Sequence, residues 1–174
     1  MSYGFWDVSR DWKKAPVTMA DRLLELFAAV MAVVLLVLTA VLYADAPDVV
    51  PSHFNFSGEA DGWENKGIYW VIAIIFVVGM VVCASAAYNR KLVNLPIRLK
   101  EQVFYRQIGL IGRMCRIMTL GMGLIWMSTL LAMSAERLGI PSYICACFMG
   151  GSVGVMLLVV FFYTLKIWWI GRNY

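Results

Sequence analysis

Four apolar runs, at 23–43, 68–88, 117–135 and 143–169, decide what this chain can become. Each approaches or exceeds the ~20 residues an α-helix needs to cross about 30 Å of hydrocarbon. Lipid offers the backbone no hydrogen-bond partner, so runs of this kind close their hydrogen bonds internally, as helices. The composition agrees: of 174 residues 61% are hydrophobic and 15% charged, whereas soluble domains carry about 25% charged residues. Mean hydropathy is +0.74, and a water-soluble core of this size has no room for that much apolar surface. A soluble enzyme, a nucleic-acid-binding domain and a disulfide scaffold are therefore excluded as first readings. The expected fold class is an all-α membrane protein with four transmembrane helices. A segment 1–22 precedes a transmembrane domain over 23–174, whose long connections are a 44–67 loop and a basic 89–116 segment.

The basic residues give the orientation. Arg10, Lys13, Lys14 and Arg22 precede the first run; Arg90, Lys91, Arg98, Lys100, Arg106, Arg113 and Arg116 lie between the second and third; Lys166 and Arg172 close the chain. The other two connections hold only Lys66 and Arg137. The positive-inside rule then predicts both termini and the middle segment in the cytoplasm (N-in, C-in), with 44–67 as a structured extracytoplasmic loop. That loop is acidic: Asp45, Asp48, Glu59, Asp61 and Glu64 stand against Lys66. Thr18 and Asp21 have the spacing of a capping box at the start of the first helix, and Pro16 stops any upstream helix. Ala44-Asp45-Ala46 has the small-x-small form of a signal cleavage site, but the acid-bearing leader and the long apolar run favour a retained span.

Phe104, Ile108, Ile111, Cys115 and Met118 recur at helical spacing, so the third helix is predicted to begin well before its membrane span. Arg106 and Arg113 fall on another face, as a contact for lipid headgroups or a cytoplasmic partner, or as a solvated face that only fixes topology. The four cysteines, Cys83, Cys115, Cys145 and Cys147, lie in or beside apolar runs and read as packing thiols. Gly150 and Gly154 form a GxxxG spacing, and Gly121 and Gly123 thin the third helix; close packing within the bundle is expected at both, with dimerisation the rival use of the GxxxG pair.

No carboxylate, histidine or basic residue falls near the middle of any span, which disfavours a coupled transporter. Chemistry-bearing residues gather in the 44–67 loop around the only histidine, His53. Its readings are a structural histidine bonded within the loop, a recognition residue for a peptide or lipid headgroup, or a metal ligand with Glu59, Asp61 or Glu64. No second histidine, HExxH or catalytic triad supports an enzyme, and no metal or cofactor is expected. Gly58 and Asp61-Gly62 are expected to supply turns. The interleaved Phe54, Phe56 and Trp63 predict a loop folded down as a lid, with the Trp63 ring over the start of the second helix and Lys66 reaching the loop acids or headgroups.

The run VPSHFNFSGEADGWENK resembles the signature P-x-H-F-N-x-x-G-x-x-D-x-W-x-x-K of domain of unknown function 1648, in the SdpI-type family of bacterial membrane proteins. Pro51, His53, Phe54, Asn55, Gly58, Asp61, Trp63 and Lys66 carry the match. Asn94, Pro96, Arg106, Gln107 and Arg113 more weakly resemble a following "N-x-P…RQ…R" segment, so the likeness covers roughly residues 20–116. It implies a multi-pass protein of the bacterial inner membrane, of immunity or peptide-sensing type. The implied recognition surface is Pro51, His53, Asn55, Gly58, Asp61, Trp63 and Lys66. Arg106, Gln107 and Arg113 would meet a cytoplasmic partner or lipid. Membrane lipids, a secreted peptide or membrane protein, and a cytoplasmic regulator are the implied partners, with no nucleic acid. The alternative is a structural or assembly subunit of a membrane complex; a metal-dependent membrane enzyme is the third reading.

Overall fold

A computed structural model describes residues 17–89, 92, 93, 99 and 101–173. Arg10, Lys13, Lys14, Pro16, Arg90, Lys91, Asn94, Pro96, Arg98 and Lys100 lie outside the described residues. In chain order the elements are α1 (Met19–Ala44), β1 (Val49–Phe54), β2 (Ala60–Asn65), α2 (Ile68–Ala86), α3 (Phe104–Leu138) and α4 (Ser142–Asn173), with a 3-10 turn at Glu101–Val103 leading into α3. All four α-helices are long and apolar enough to cross a membrane. At 1.5 Å per residue even α2, the shortest, reaches about 28 Å.

The local sequence accounts for the helix ends. Thr18 caps α1 reciprocally: its hydroxyl accepts from the Asp21 amide while the Asp21 carboxylate accepts from the Thr18 amide at 2.9 Å. This satisfies amides the first turn would otherwise leave open. α3 starts at Phe104, as the 104–118 apolar spacing predicts, and runs unbroken for 35 residues. It stops at Gly139, whose φ of +64° is a left-handed conformation that costs glycine little.

α3 is the hub, and each of the other helices packs against it. Residues two apart on a helix point about 200° apart, so Gly121 and Gly123 open opposite sides of α3. A Cβ at Gly123 would stand 2.1 Å from the Met31 sulfur of α1, and one at Gly121 would stand 3.2 Å from Met156 of α4. The expected thinning of this helix is thus real, and each gap is filled by a methionine. One apolar cluster, containing Leu35, Tyr69, Ala73, Trp126 and Leu130, lies toward the hairpin; a second, containing Ile108, Ile111, Cys115 and Ile167, lies at the other end. The opposite faces of α1, α2 and α4 present Val33, Val37, Ile74, Val78, Leu157 and Phe161 outward. In a bilayer these contact lipid chains and cost nothing.

Three expectations need correction. The 44–67 connection is a two-stranded antiparallel hairpin, so the chain is mostly helical and not all-α. Val49, Val50 and Trp63 suit a pleated strand, and Pro51 is tolerated because an isolated hairpin has only edge strands. Among the described residues none closes on Gly150 or Gly154: a Cβ at either would meet open space. α4 leans on α3 through Cys145, Ser152 and Ile167, and the glycine face turns away. Cys147 is exposed, while Cys115 and Cys145 are buried and Cys83 is partly so; all four are free thiols.

Candidate functional site

The hairpin stands on the bundle through two residues of β1. Val50 is 1% exposed and enters the larger cluster, while Phe54, beyond two register shifts, packs between that cluster and a smaller one of Ala132, Ala135 and Cys145. Pro51, next to Val50, faces the other way. Trp63, paired with Pro51, is on that outer face and 58% exposed. At that exposure it is not buried as a lid would be, and the residue that packs down into the core is Phe54.

Asn55 organises the turn. Its side-chain oxygen accepts from the amides of Ser57 and Glu59 at 2.9 and 3.0 Å, and its carbonyl accepts from Gly58 at 2.9 Å. Gly58 has φ +79°, and a Cβ there would come within 2.4 Å of the Ser142 carbonyl oxygen. Only glycine lets the turn rest on the start of α4 in this way. Asp61 and Gly62, expected as a turn, lie inside β2 beside a register shift. That shift puts Gly62 opposite His53, where the missing side chain leaves room for the imidazole. His53 Nδ1 and Asp61 Oδ1 are 2.5 Å apart, with side chains 75% and 45% exposed. At the base, Lys66 meets Asp48 at 3.2 Å and lies 5.7 Å over the Tyr43 ring.

Beneath the turn runs a groove of about 670 Å³. His53, Asn55 and Asp61 form its polar rim, with the fully exposed Phe56 beside them; Ala132, Met149, Gly150 and Val153 form its apolar wall. The structure therefore brings His53, Asn55, Gly58 and Asp61 together on one cleft, and leaves Pro51, Trp63 and Lys66 outside its lining. Among the described residues no group of three His, Cys, Asp or Glu side chains could hold a metal ion.

The opposite end holds a polar network that sequence reasoning missed. Arg113 reaches Asp21 with two donors, Nε at 2.8 Å and Nη2 at 3.2 Å, and its Nη2 also donates to the Thr18 hydroxyl at 2.9 Å. Arg116, 5% exposed, donates from Nε to Glu25 at 2.7 Å and stacks 4.9 Å over the Tyr88 ring. The Tyr88 hydroxyl donates to the same carboxylate. Gln107 is fully buried and donates to the Ile167 carbonyl at 3.1 Å, clamping α3 to α4. Arg106 is exposed near the start of α3. Of the three residues expected to face a partner or lipid, Arg113 and Gln107 thus hold the bundle together. The signal available was Asp21 and Glu25, four apart at the start of an apolar helix, where uncompensated acids would be costly. At the hairpin end Arg137 plays a similar part, donating to the buried Tyr69 hydroxyl at 2.8 Å and the Ser134 hydroxyl at 3.2 Å.

Neither a curated protein nor a solved structure matches the chain. Residues 30–84, which take in most of α1, the whole hairpin and nearly all of α2, match the family described as domain of unknown function DUF1648.

Proposed function

We propose that this is a multi-pass protein of the bacterial inner membrane that recognises an amphipathic, cationic secreted peptide in the groove beneath its hairpin, in the manner of an immunity or peptide-sensing protein. The groove carries this reading: it joins a hydrogen-bonding rim with one carboxylate, Asp61, to an apolar wall on α3 and α4. A peptide with basic and apolar faces would match both. The likeness of the hairpin run to SdpI-type proteins supports it, and the charge asymmetry supports an extracytoplasmic hairpin with cytoplasmic termini. Cysteines introduced at Ser57 and Gln102 in a cysteine-free chain should then react with an impermeant thiol reagent from opposite sides.

The test is survival of cells expressing the chain when challenged with a helical peptide of alternating leucine and lysine blocks. Expression should protect; Gly150→Leu, which fills the groove from an open position, and Asp61→Lys should each abolish protection. Failure to protect, or protection that survives both substitutions, overturns the reading. A second reading, an assembly subunit that binds a membrane partner through its helices, is favoured by the open glycine face of α4. Gly154 does not line the groove, so Gly154→Leu should break such an assembly and leave peptide protection intact.

A further inference from the structure

At the end away from the hairpin, α1 and α2 part to leave a slot of about 270 Å³ floored by α3. Small side chains, Ala28, Ala29 and Ala32 on α1 and Ala84 on α2, open it between the larger Leu24, Met80 and Tyr88, with Thr119 beneath. The Thr119 hydroxyl is turned away from any guest by donating to the Cys115 carbonyl at 3.0 Å. From Glu25 to Ala32 the slot runs about 10 Å along the helix axis. One wall is accessible from the side, since Ala29 and Val81 are exposed.

The mouth of the slot differs in character. Among the described residues Glu25 is the one carboxylate that lines the slot, and two guanidiniums share it: Arg116 at 2.7 Å and Arg22 at 3.2 Å. One positive charge is left without a carboxylate. Arg116 is buried at 5% exposure, whereas the Arg22 side chain is 63% exposed at the rim. An apolar slot that opens sideways between membrane-spanning helices and ends in surplus positive charge is complementary to one molecule class.

We infer that this slot holds one acyl chain of an anionic phospholipid, with the lipid phosphate against Arg22 and the outer edge of the Arg116–Glu25 pair. The chain fills the alanine-lined gap that α1 and α2 leave open. The phosphate supplies the second negative charge that the two arginines lack. This site is separate from the hairpin groove and stands whether or not that groove binds a peptide.

Native mass spectrometry of the purified full-length protein tests it, using phosphatidylglycerol and phosphatidylcholine of matched chains added in detergent. The protein should retain phosphatidylglycerol in preference. Ala29→Trp, which blocks the slot from an exposed position, should abolish that preference. Arg22→Gln should reduce it about fivefold, the effect of one basic residue at an anionic surface. Val33→Trp, on the outward face of α1, should leave it unchanged. Equal retention of the two lipids, or a preference that survives Ala29→Trp, overturns the site. Inorganic phosphate displacing the lipid completely would replace it with a free-anion site. Should Ala29→Trp elute as an aggregate, Arg22→Gln decides, and an undiminished preference in that variant rejects the proposal.

Discussion

At the start of α1, Asp21 is 1% exposed and held by two donors from Arg113; on the hairpin, Asp61 is 45% exposed and meets His53 in a single contact. Both are acid–base pairs, yet they do different work. The first joins residues 92 apart in sequence and fixes α1 against α3. The second joins neighbouring strands already held by backbone hydrogen bonds and by the Val50 and Phe54 anchors. A buried pair is costly to break because the surviving charge is stranded, whereas an exposed pair gives up little when one partner leaves. The Asp21–Arg113 pair thus serves the architecture. The hairpin rests on apolar anchors and a glycine contact, and its His53–Asp61 pair stays exposed.

The sharpest way to break this contrast is at Asp21. Asp21→Ala removes a capping residue and deprives Arg113, whose side chain is 35% exposed, of its carboxylate, and should cost about 2–4 kcal/mol, read as a large drop in melting temperature in detergent. A loss below about 1 kcal/mol would show that the two ends do not differ. The double variant Asp21→Ala/Arg113→Leu should recover part of the loss, since no unpaired charge then remains; no recovery would place the cost in the cap instead.

The hairpin anchors come next. Phe54→Ala should cost about 2–3 kcal/mol, because the side chain fills a space shared by two clusters. Trp63→Ala should fall within about 0.5 kcal/mol, as expected of an outward side chain. Thermal melts of the two variants decide which ring anchors the hairpin, and a larger loss at Trp63 would restore the lid. Gly58→Ala meets both a positive φ and the Ser142 carbonyl and should cost about 1–3 kcal/mol. It should also make the 55–60 turn newly sensitive to added protease; unchanged cleavage would mean that the turn does not rest on α4.

The four helices were legible because a membrane span writes itself as an uninterrupted apolar run. The capping box at Thr18 and Asp21 was legible because both partners lie within one turn. The early start of α3 was legible because Ile108 and Ile111 keep helical phase outside the apolar run. The strands were obscured by Pro51 and Gly62, which punctuate ordinary strands, and by Asp61-Gly62, which imitates a hairpin turn. The direction of Trp63 could not be read, since the side-chain period of a strand is two and a shift of one residue reverses the face. Arg113 was misread for a different reason: its partner lies at the far end of the sequence, and a basic residue near a membrane end looks the same whether it faces solvent or a buried acid.

A small effect is also expected at His53, and it bears most directly on the proposed ligand site. Its imidazole is 75% exposed, so the 2.5 Å contact with Asp61 competes with water on both sides. His53→Ala should therefore change stability by no more than about 1 kcal/mol. The strands keep their backbone pairing, Gly62 no longer faces a ring, and Asn55 still closes the turn through its own side chain. If the pair exists for recognition, the same substitution should sharply reduce protection against the leucine–lysine peptide while melting stays near wild type. A large fall in melting temperature with unaltered protection would reverse the assignment, making His53 a structural residue of the hairpin and shifting recognition to Glu59 and the exposed Phe56.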